Sequence, residues 1–404
     1  MIKKIFVVLS AVVLFFPLIN AQNVDRSGGY ARVLSMGNNP YLVDPEAIKV
    51  NPAWASEYYN FLWGDIGSNA GAAFGNGSAG QFAGFNFRLS KDFTLGGMLT
   101  RNDFNSASIG RLDPFGIVAA IPQAIRLNNN LEALASYKLG NLALGLGVAF
   151  ASTKNETSPP QGAASTNATA SQIGINAGVL AQFTQTILLD VGVSLILPSA
   201  KLEPDQGNTT KVSQTIIGAN ARLFWKYSSK LRFVPGAAFL TSSGTFDNGA
   251  ASTDLTSITL FGVGVGFEYT EGDFMFVGGP GLASTSLKTP AGTNNTPPEL
   301  TTSSLIFPVW NLGAEWHATD WLIGRLGYTA STGNTKTQTG TTPNAITETT
   351  ITFFGPTNVT LGIGFRFGGF ALDATVNADV LRQGLNNIGG GGATFAYLST
   401  SYGF

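Results

Sequence analysis

Side chains that could do covalent or metal chemistry are scarce in this chain. There is one His, His317, two residues after Glu315, and there is no Cys. A nucleophile–His–acid system would have to run through His317, and one imidazole cannot build a His-rich metal site. The lack of thiols removes disulfides, thiolate ligands and a lipid-modified Cys anchor. Gly262-Val263-Gly264-Val265-Gly266 is not followed by the helical pattern of a dinucleotide-binding turn. Asn155-Glu156-Thr157 has only the form of a glycosylation acceptor. No catalytic, cofactor-binding or metal-binding residue is expected, and the chain is expected not to be an enzyme. What remains is a set of ionisable residues placed singly among apolar or small neighbours: Asp190, Arg222, Lys226, Glu268, Arg366, Asp373 and Asp379. Their role depends on the surface that carries them.

That surface is made of strands. In residues 142–150, Leu142, Leu144, Leu146, Val148 and Phe150 alternate with Ala and Gly. Residues 359–367 and 261–269 repeat the pattern. Ile187, Leu189, Val191, Val193, Leu195 and Leu197 form another stripe, with Asp190 and Ser194 between them. In residues 370–380, Leu372, Val376 and Val380 alternate with Asp373, Asn377 and Asp379. Period two marks strands with two unlike faces. The runs last 9–15 residues, longer than the ~5–6 of strands in soluble sheets and matched to the ~9–11 that cross a bilayer at a tilt. Only a closed sheet survives there, because an unpaired edge has no water to bond. The apolar stripe then faces lipid and the small or polar stripe faces the lumen, so Asp190, Arg222, Glu268, Arg366 and Asp373 are expected inside a barrel.

Connections and aromatic residues agree. Short turns at Ser90-Lys91-Asp92, Gly140-Asn141, Thr184-Gln185, Ser228-Ser229, Glu271-Gly272, Ala318-Thr319 and Gly368-Gly369 alternate with long Thr-, Asn-, Gly- and Pro-rich tracts at 154–169, 244–254, 289–302 and 331–349. Outer-membrane barrels have this short–long rhythm. Rings crowd the short turns, among them Trp225, Tyr227, Tyr269, Phe274, Trp316, Trp321, Phe367 and Phe370, as in an interfacial girdle. Phe404, the last residue shown, looks like the aromatic assembly signal of such barrels. The expectation is an all-β protein, a transmembrane antiparallel barrel of about 14–16 strands, sixteen by direct count.

Composition fits. The chain has 404 residues, 50 Gly, 12% charged residues and a net charge of −1, so nothing suggests a nucleic-acid partner. Lys3 and Lys4, the apolar stretch 5–19 and Ile19-Asn20-Ala21 form an export signal with cleavage expected after Ala21. The organisation expected is a signal peptide at 1–21, an N-terminal plug at 22–57 and the barrel at 58–404.

The segment 28–56, "GGYARVLSMGNNPYLVDPEAIKVNPAWAS", stands before the first strand. Arg32, Met36-Gly37, Asp44 and Asn51-Pro52-Ala53 make it resemble the N-terminal segment of the long-chain fatty-acid transporter (FadL) superfamily. That superfamily includes the aromatic-hydrocarbon channels and the PorV-like barrels of type IX secretion. Trp54 stands where the family often has Gly, and 38–43 is less rich in small residues. The resemblance implies a hatch tucked into the lumen. It also implies uptake of hydrophobic small molecules such as fatty acids or aromatic hydrocarbons, or alternatively a shuttle that binds secreted proteins. Expected partners are the lipid bilayer, the outer-membrane assembly machinery and a hydrophobic small molecule, in the outer membrane of a Gram-negative-type bacterium. The residues agree with a sheltered segment. Pro40, Pro45 and Pro52 forbid a continuous helix or ladder, and Leu42, Ile48, Val50 and Trp54 need apolar contacts. Asp44 and Glu46 are expected to meet lumen cations such as Arg222 or Arg366.

Overall fold

The computed structural model describes residues 27–67, 80–100, 112–121, 125, 127, 130–157, 165–291, 298–340, 346–355, 357–376 and 395–404. The expected signal segment 1–21, Asp379 and the far part of the 370–380 run lie outside them.

Eighteen strands form one antiparallel sheet. They are β1 (Phe61–Gly67), β2 (Gly80–Arg88), β3 (Phe93–Thr100), β4 (Asn130–Leu139), β5 (Leu142–Thr157), β6 (Thr166–Thr184), β7 (Ile187–Pro204), β8 (Thr210–Lys226) and β9 (Leu231–Asp247). There follow β10 (Ser252–Asp254), β11 (Ser257–Glu271), β12 (Phe274–Thr289), β13 (Leu300–His317), β14 (Leu322–Thr339), β15 (Thr347–Phe354), β16 (Asn358–Phe367), β17 (Phe370–Val376) and β18 (Phe395–Gly403). β10 and β11 both pair with β9 and form one interrupted stave. β15 and β16 both pair with β14 and form another. The sheet therefore has sixteen staves. β1 closes it by pairing with β18 over Phe61↔Gly403 to Gly67↔Tyr397 and with β2 on its other side. No edge is left at the seam, as a bilayer requires.

The barrel is apolar outside. Along β5, Leu144, Leu146, Val148 and Phe150 are exposed while Ala149 and Ala151 are buried. Leu99, Ile173, Val193, Phe239, Val263 and Leu326 continue an exposed belt around the wall. So large an exposed apolar surface suits lipid, not water. At the short turns the rings cluster: Trp225, Tyr227 and Phe233 lie 5.8–6.0 Å apart, and Trp321, Phe365 and Phe367 stack. Phe404 packs on Phe87 and Tyr402 beside the seam.

The wall is uneven. β6 has 19 residues and β7, β13 and β14 have 18 each, against 7 in β1 and β17. Eighteen residues at ~3.3 Å each and a tilt of ~40° rise about 45 Å, well past the ~25 Å apolar band. The tracts expected as long loops are correspondingly shorter than expected. β5 runs to Thr157, β9 to Asp247 and β14 to Thr339. Their Thr-rich sequence looks loop-like in polarity, yet Thr is β-branched and suits a pleated surface that meets water.

Inside the ring lies the N-terminal segment, with helices α1 (Tyr30–Ser35) and α2 (Ala47–Val50) and a 3-10 turn at Pro52–Ser56. Its core is Met36, Leu42, Ile48, Ala53, Trp54 and Tyr58, packed on the inward residues Leu134, Leu180, Phe224, Val234 and Val277.

The two faces predict different outcomes for one substitution. Leu146→Arg or Val193→Arg places a charge on the outer belt and is expected to cost roughly 2–4 kcal/mol in refolding into bilayers. Gly145 faces inward against the backbone of Pro52 and Ala53. Gly145→Arg is expected to displace the inner segment, seen as protease access to residues 40–56, while the barrel keeps its heat-modifiable migration. Equal destabilisation by all three would reverse the assignment of faces.

Candidate functional site

Asn51-Pro52-Ala53 is a joint between the inner segment and the wall. Pro52 opens the 3-10 turn, where its missing N–H costs nothing. Asn51 Oδ1 accepts from the Ala53 N–H at 2.9 Å. Its Nδ2 donates to the Val179 carbonyl at 3.0 Å and to Asp190 Oδ1 at 2.6 Å. Arg222 holds the other oxygen of Asp190, from Nε at 2.9 Å and Nη2 at 2.7 Å. Nη1 of Arg222 turns back to donate to the carbonyls of Pro40 and Leu42. Asp190 and Arg222 thus clamp two stretches of the segment at once.

A second joint is larger. Arg32 donates to both oxygens of Glu315 on β13, at 2.9 and 3.3 Å, and to Asp44 at 3.3 Å. Arg325 on β14 donates to Glu315 at 2.6 Å and to Asp373 on β17 at 2.7 Å. Arg366 donates to Asp373 at 3.0 Å. Three guanidinium groups thus meet three carboxylates across four strands and the inner segment. His317 touches the rim of this group, 3.5 Å from Glu315. A third joint is Lys49, buried beneath Trp63, with Glu46 at 2.8 Å and Asp65 of β1 at 3.8 Å.

Sequence offered Arg222 and Arg366 as candidate partners for Asp44 and Glu46 without pairing them. Asp44 meets Arg32, and Glu46 meets Lys49; neither reaches Arg222 or Arg366. Arg366 and Asp373 do come together, as do Asp190 and Arg222, but Glu268 stands apart with Arg232. Lys226 is exposed at the end of β8. Arg325, Asp65 and Arg232 were missed, as was the role of Glu315 as the meeting point of Arg32 and Arg325. Arg325 was open to discovery, since it shares one face with Ile323 and Gly327 and alternates with Gly324 and Leu326.

The glycines of the inward stripe mark where the segment touches the wall. A Cβ at Gly178 would collide with the Asn51 amide, at Gly192 with the Val50 carbonyl, at Gly266 with the Tyr41 ring and at Gly313 with Met36. Gly37 is required twice. Its φ is +75°, and a Cβ there would stand 2.8 Å from the Leu312 carbonyl oxygen.

The connection between β3 and β4 also enters the lumen, which no sequence signal had marked. Asp113 accepts from the N–H groups of Ile117 and Val118 at 2.8 and 3.0 Å, and its own N–H donates to Gln172 at 2.9 Å. Leu112, Ile117, Val118 and Ile121 bury against Ala151, Ala168, Ala170, Ala200 and Val212 of the wall. Phe115 and Leu240 both pack against the cluster of Ala149, Ile196 and Ile216.

Beside this inturned connection and above the N-terminal segment lies a cavity of about 380 Å³. Lys49 and Val50 form its floor. Its wall is formed by β7, β8, β9, β11 and β12, including Ser194, Gly218, Asn220, Ala238, Leu240 and Leu260. This volume falls in the ~300–1,000 Å³ range of small-molecule sites.

Two carboxyls of the inner segment, outside the membrane-crossing strands, have displaced acidities. Burial pushes Asp44 up to about 7, against the downward pull of Arg32. Burial pushes Glu46 up to about 8, against the pull of Lys49. Released into water, both would titrate near their ordinary values of 3.8 and 4.5. Between these limits the seated segment holds protons that the released one has lost, so seating weakens as pH rises through that window. Protease protection of residues 40–56 is expected to be greater at pH 5 than at pH 8.5. The opposite trend would contradict this assignment.

No family model and no curated protein matches the chain. Solved structures similar to it include the toluene transporter TodX of Pseudomonas putida, at 11% identity and a TM-score of 0.39 over 94% of this chain and 99% of that one. Another is the FrpB iron transporter of Neisseria meningitidis (F3-3 variant), at 9% and 0.41 over 81% of this chain and 63% of that one. A third is the copper transporter OprC, at 9% and 0.38 over 78% and 66%. Identities and scores this low describe a likeness of barrel architecture and say nothing of what passes through the lumen.

Proposed function

We propose that this protein is an outer-membrane barrel of a Gram-negative-type bacterium that takes up hydrophobic small molecules, of the fatty-acid or aromatic-hydrocarbon class, through a lumen plugged by its N-terminal segment. The observation that carries the reading is the mainly small and apolar cavity resting on that segment. A general porin would need a wide polar channel, whereas here the N-terminal segment and the inturned β3–β4 connection both occupy the lumen. A molecule entering from the far end of the long staves would reach Phe115 and Leu240, then the cavity, and be halted at Lys49 and Val50. Onward passage requires the plug to shift. Its polar joints suit movement better than a purely apolar seal, since ion pairs and hydrogen bonds can be exchanged for water as the lumen floods.

The test is deletion of residues 23–53. The ladder closes without them, so the barrel should still insert and show heat-modifiable migration. Planar-bilayer recordings should then show larger and steadier conductance than the full chain, and hydrophobic probes should cross without selectivity. Conductance and probe passage equal to those of the full chain would reject the plug reading.

A further inference from the structure

We infer that the cavity selects an amphiphile with an uncharged, hydrogen-bonding head, held by Ser194 and Asn220, with its apolar tail against Leu240 and Leu260. This rests on the uptake reading above and narrows its cargo, from fatty acids and aromatic hydrocarbons as such to their neutral-headed relatives, alcohols, esters or amides. Ser194 and Asn220 are inward residues on adjacent strands, and each faces a glycine across the ladder, Ser194↔Gly218 and Gly192↔Asn220. Each side chain leans over its glycine partner. A Cβ at Gly192 would stand 2.6 Å from Asn220 Oδ1, and one at Gly218 the same distance from Ser194 Oγ. Among the described residues neither the Asn220 amide nor the Ser194 hydroxyl has a protein hydrogen-bond partner. The Nδ2 of Asn176, opposite Ser194 on β6, by contrast donates to the Lys49 carbonyl at 2.8 Å. Two polar groups with unused capacity therefore converge at the plug end of a cavity whose lining is otherwise mostly apolar.

The charges nearby are already engaged. Lys49 is held by Glu46 at 2.8 and 2.9 Å. Arg222 is held by Asp190 and by two plug carbonyls. A carboxylate head would meet no freely accessible cation, because Lys49 is only 1% exposed and Arg222 is turned to Asp190 and the plug carbonyls, and it would lose its hydration. A pure hydrocarbon would strip water from Ser194 and Asn220 and return no bond. An alcohol, ester or amide head satisfies both groups. At ~30 Å³ per heavy atom, the share of a water molecule in the liquid, the cavity has room for about a dozen heavy atoms.

The experiment uses the full chain in lipid nanodiscs and tritiated 1-decanol, with binding read by scintillation proximity against empty discs. Unlabelled 1-decanol, decane and sodium decanoate are the competitors. The wild type should bind the label, with decane and decanoate displacing it about tenfold more weakly than 1-decanol. Asn220→Leu and Ser194→Ala, each checked for heat-modifiable migration, should each weaken 1-decanol several-fold and leave decane unchanged or stronger. If decanoate displaces as well as 1-decanol, or if decane matches it and neither variant changes the ranking, head selection is overturned while uptake of apolar molecules stands. No specific label in the wild type would overturn both readings.

Discussion

Charges sealed inside a membrane barrel cannot be left to water, and this requirement organises the lumen. An unpaired buried ion costs several kcal/mol, and removing one member of a buried pair strands the other. Here Glu315 and Asp373 on the wall need more positive charge than Arg325 alone supplies, and Arg32 and Arg366 provide it. Arg366, on β16, lets the wall balance its own two carboxylates, and Arg32 arrives with Asp44 as a further pair, so seating the N-terminal segment gives Glu315 a second guanidinium without changing the net charge of the group. Asp190, already paired with Arg222 on the wall, takes a further bond from Asn51 of the segment, and Asp65 faces the segment's Lys49.

Those joints work only if backbones approach closely, and the inward glycines allow it. Gly145, Gly178, Gly192, Gly313 and Gly327 lie under Ala53, Asn51, Val50, Met36 and Gly37. Where the segment does not reach, above Val50, the same small-residue lining leaves a cavity. One compositional choice thus serves two ends: contact below and free volume above. The uneven wall adds to this. The tall staves carry the cavity and the inturned β3–β4 connection, whose apolar residues fill the lumen against Ala151, Ala168 and Ala170.

Much of the fold was legible because a strand that crosses a bilayer must keep strict period two over its whole length, and short turns cannot hide. Asp190, Arg222, Arg366 and Asp373 were legible as lumen residues for the same reason. Their partners were not. Asp44 looked equally able to meet Arg222 or Arg366, since sequence distance says nothing about which stave stands opposite which part of an irregular segment. The inturned connection was missed because its apolar residues, Leu112, Ile117, Val118 and Ile121, are few and have no long period.

By itself the sequence determined an antiparallel barrel of about 14–16 staves, its inside and outside, and an irregular segment too apolar for a free tail; the closed sheet decided that the staves are sixteen. These follow from alternation, turn chemistry and proline, all of which act locally along the chain. Only the tertiary structure decided that Arg32 meets Glu315, that the glycine stripe is split between contact and cavity, and that Ser194 and Asn220 face open space together. Those features depend on which staves become neighbours once the sheet closes and on where the inner segment stops, and barrel closure brings together residues hundreds of positions apart, such as Ala31 and Ser399.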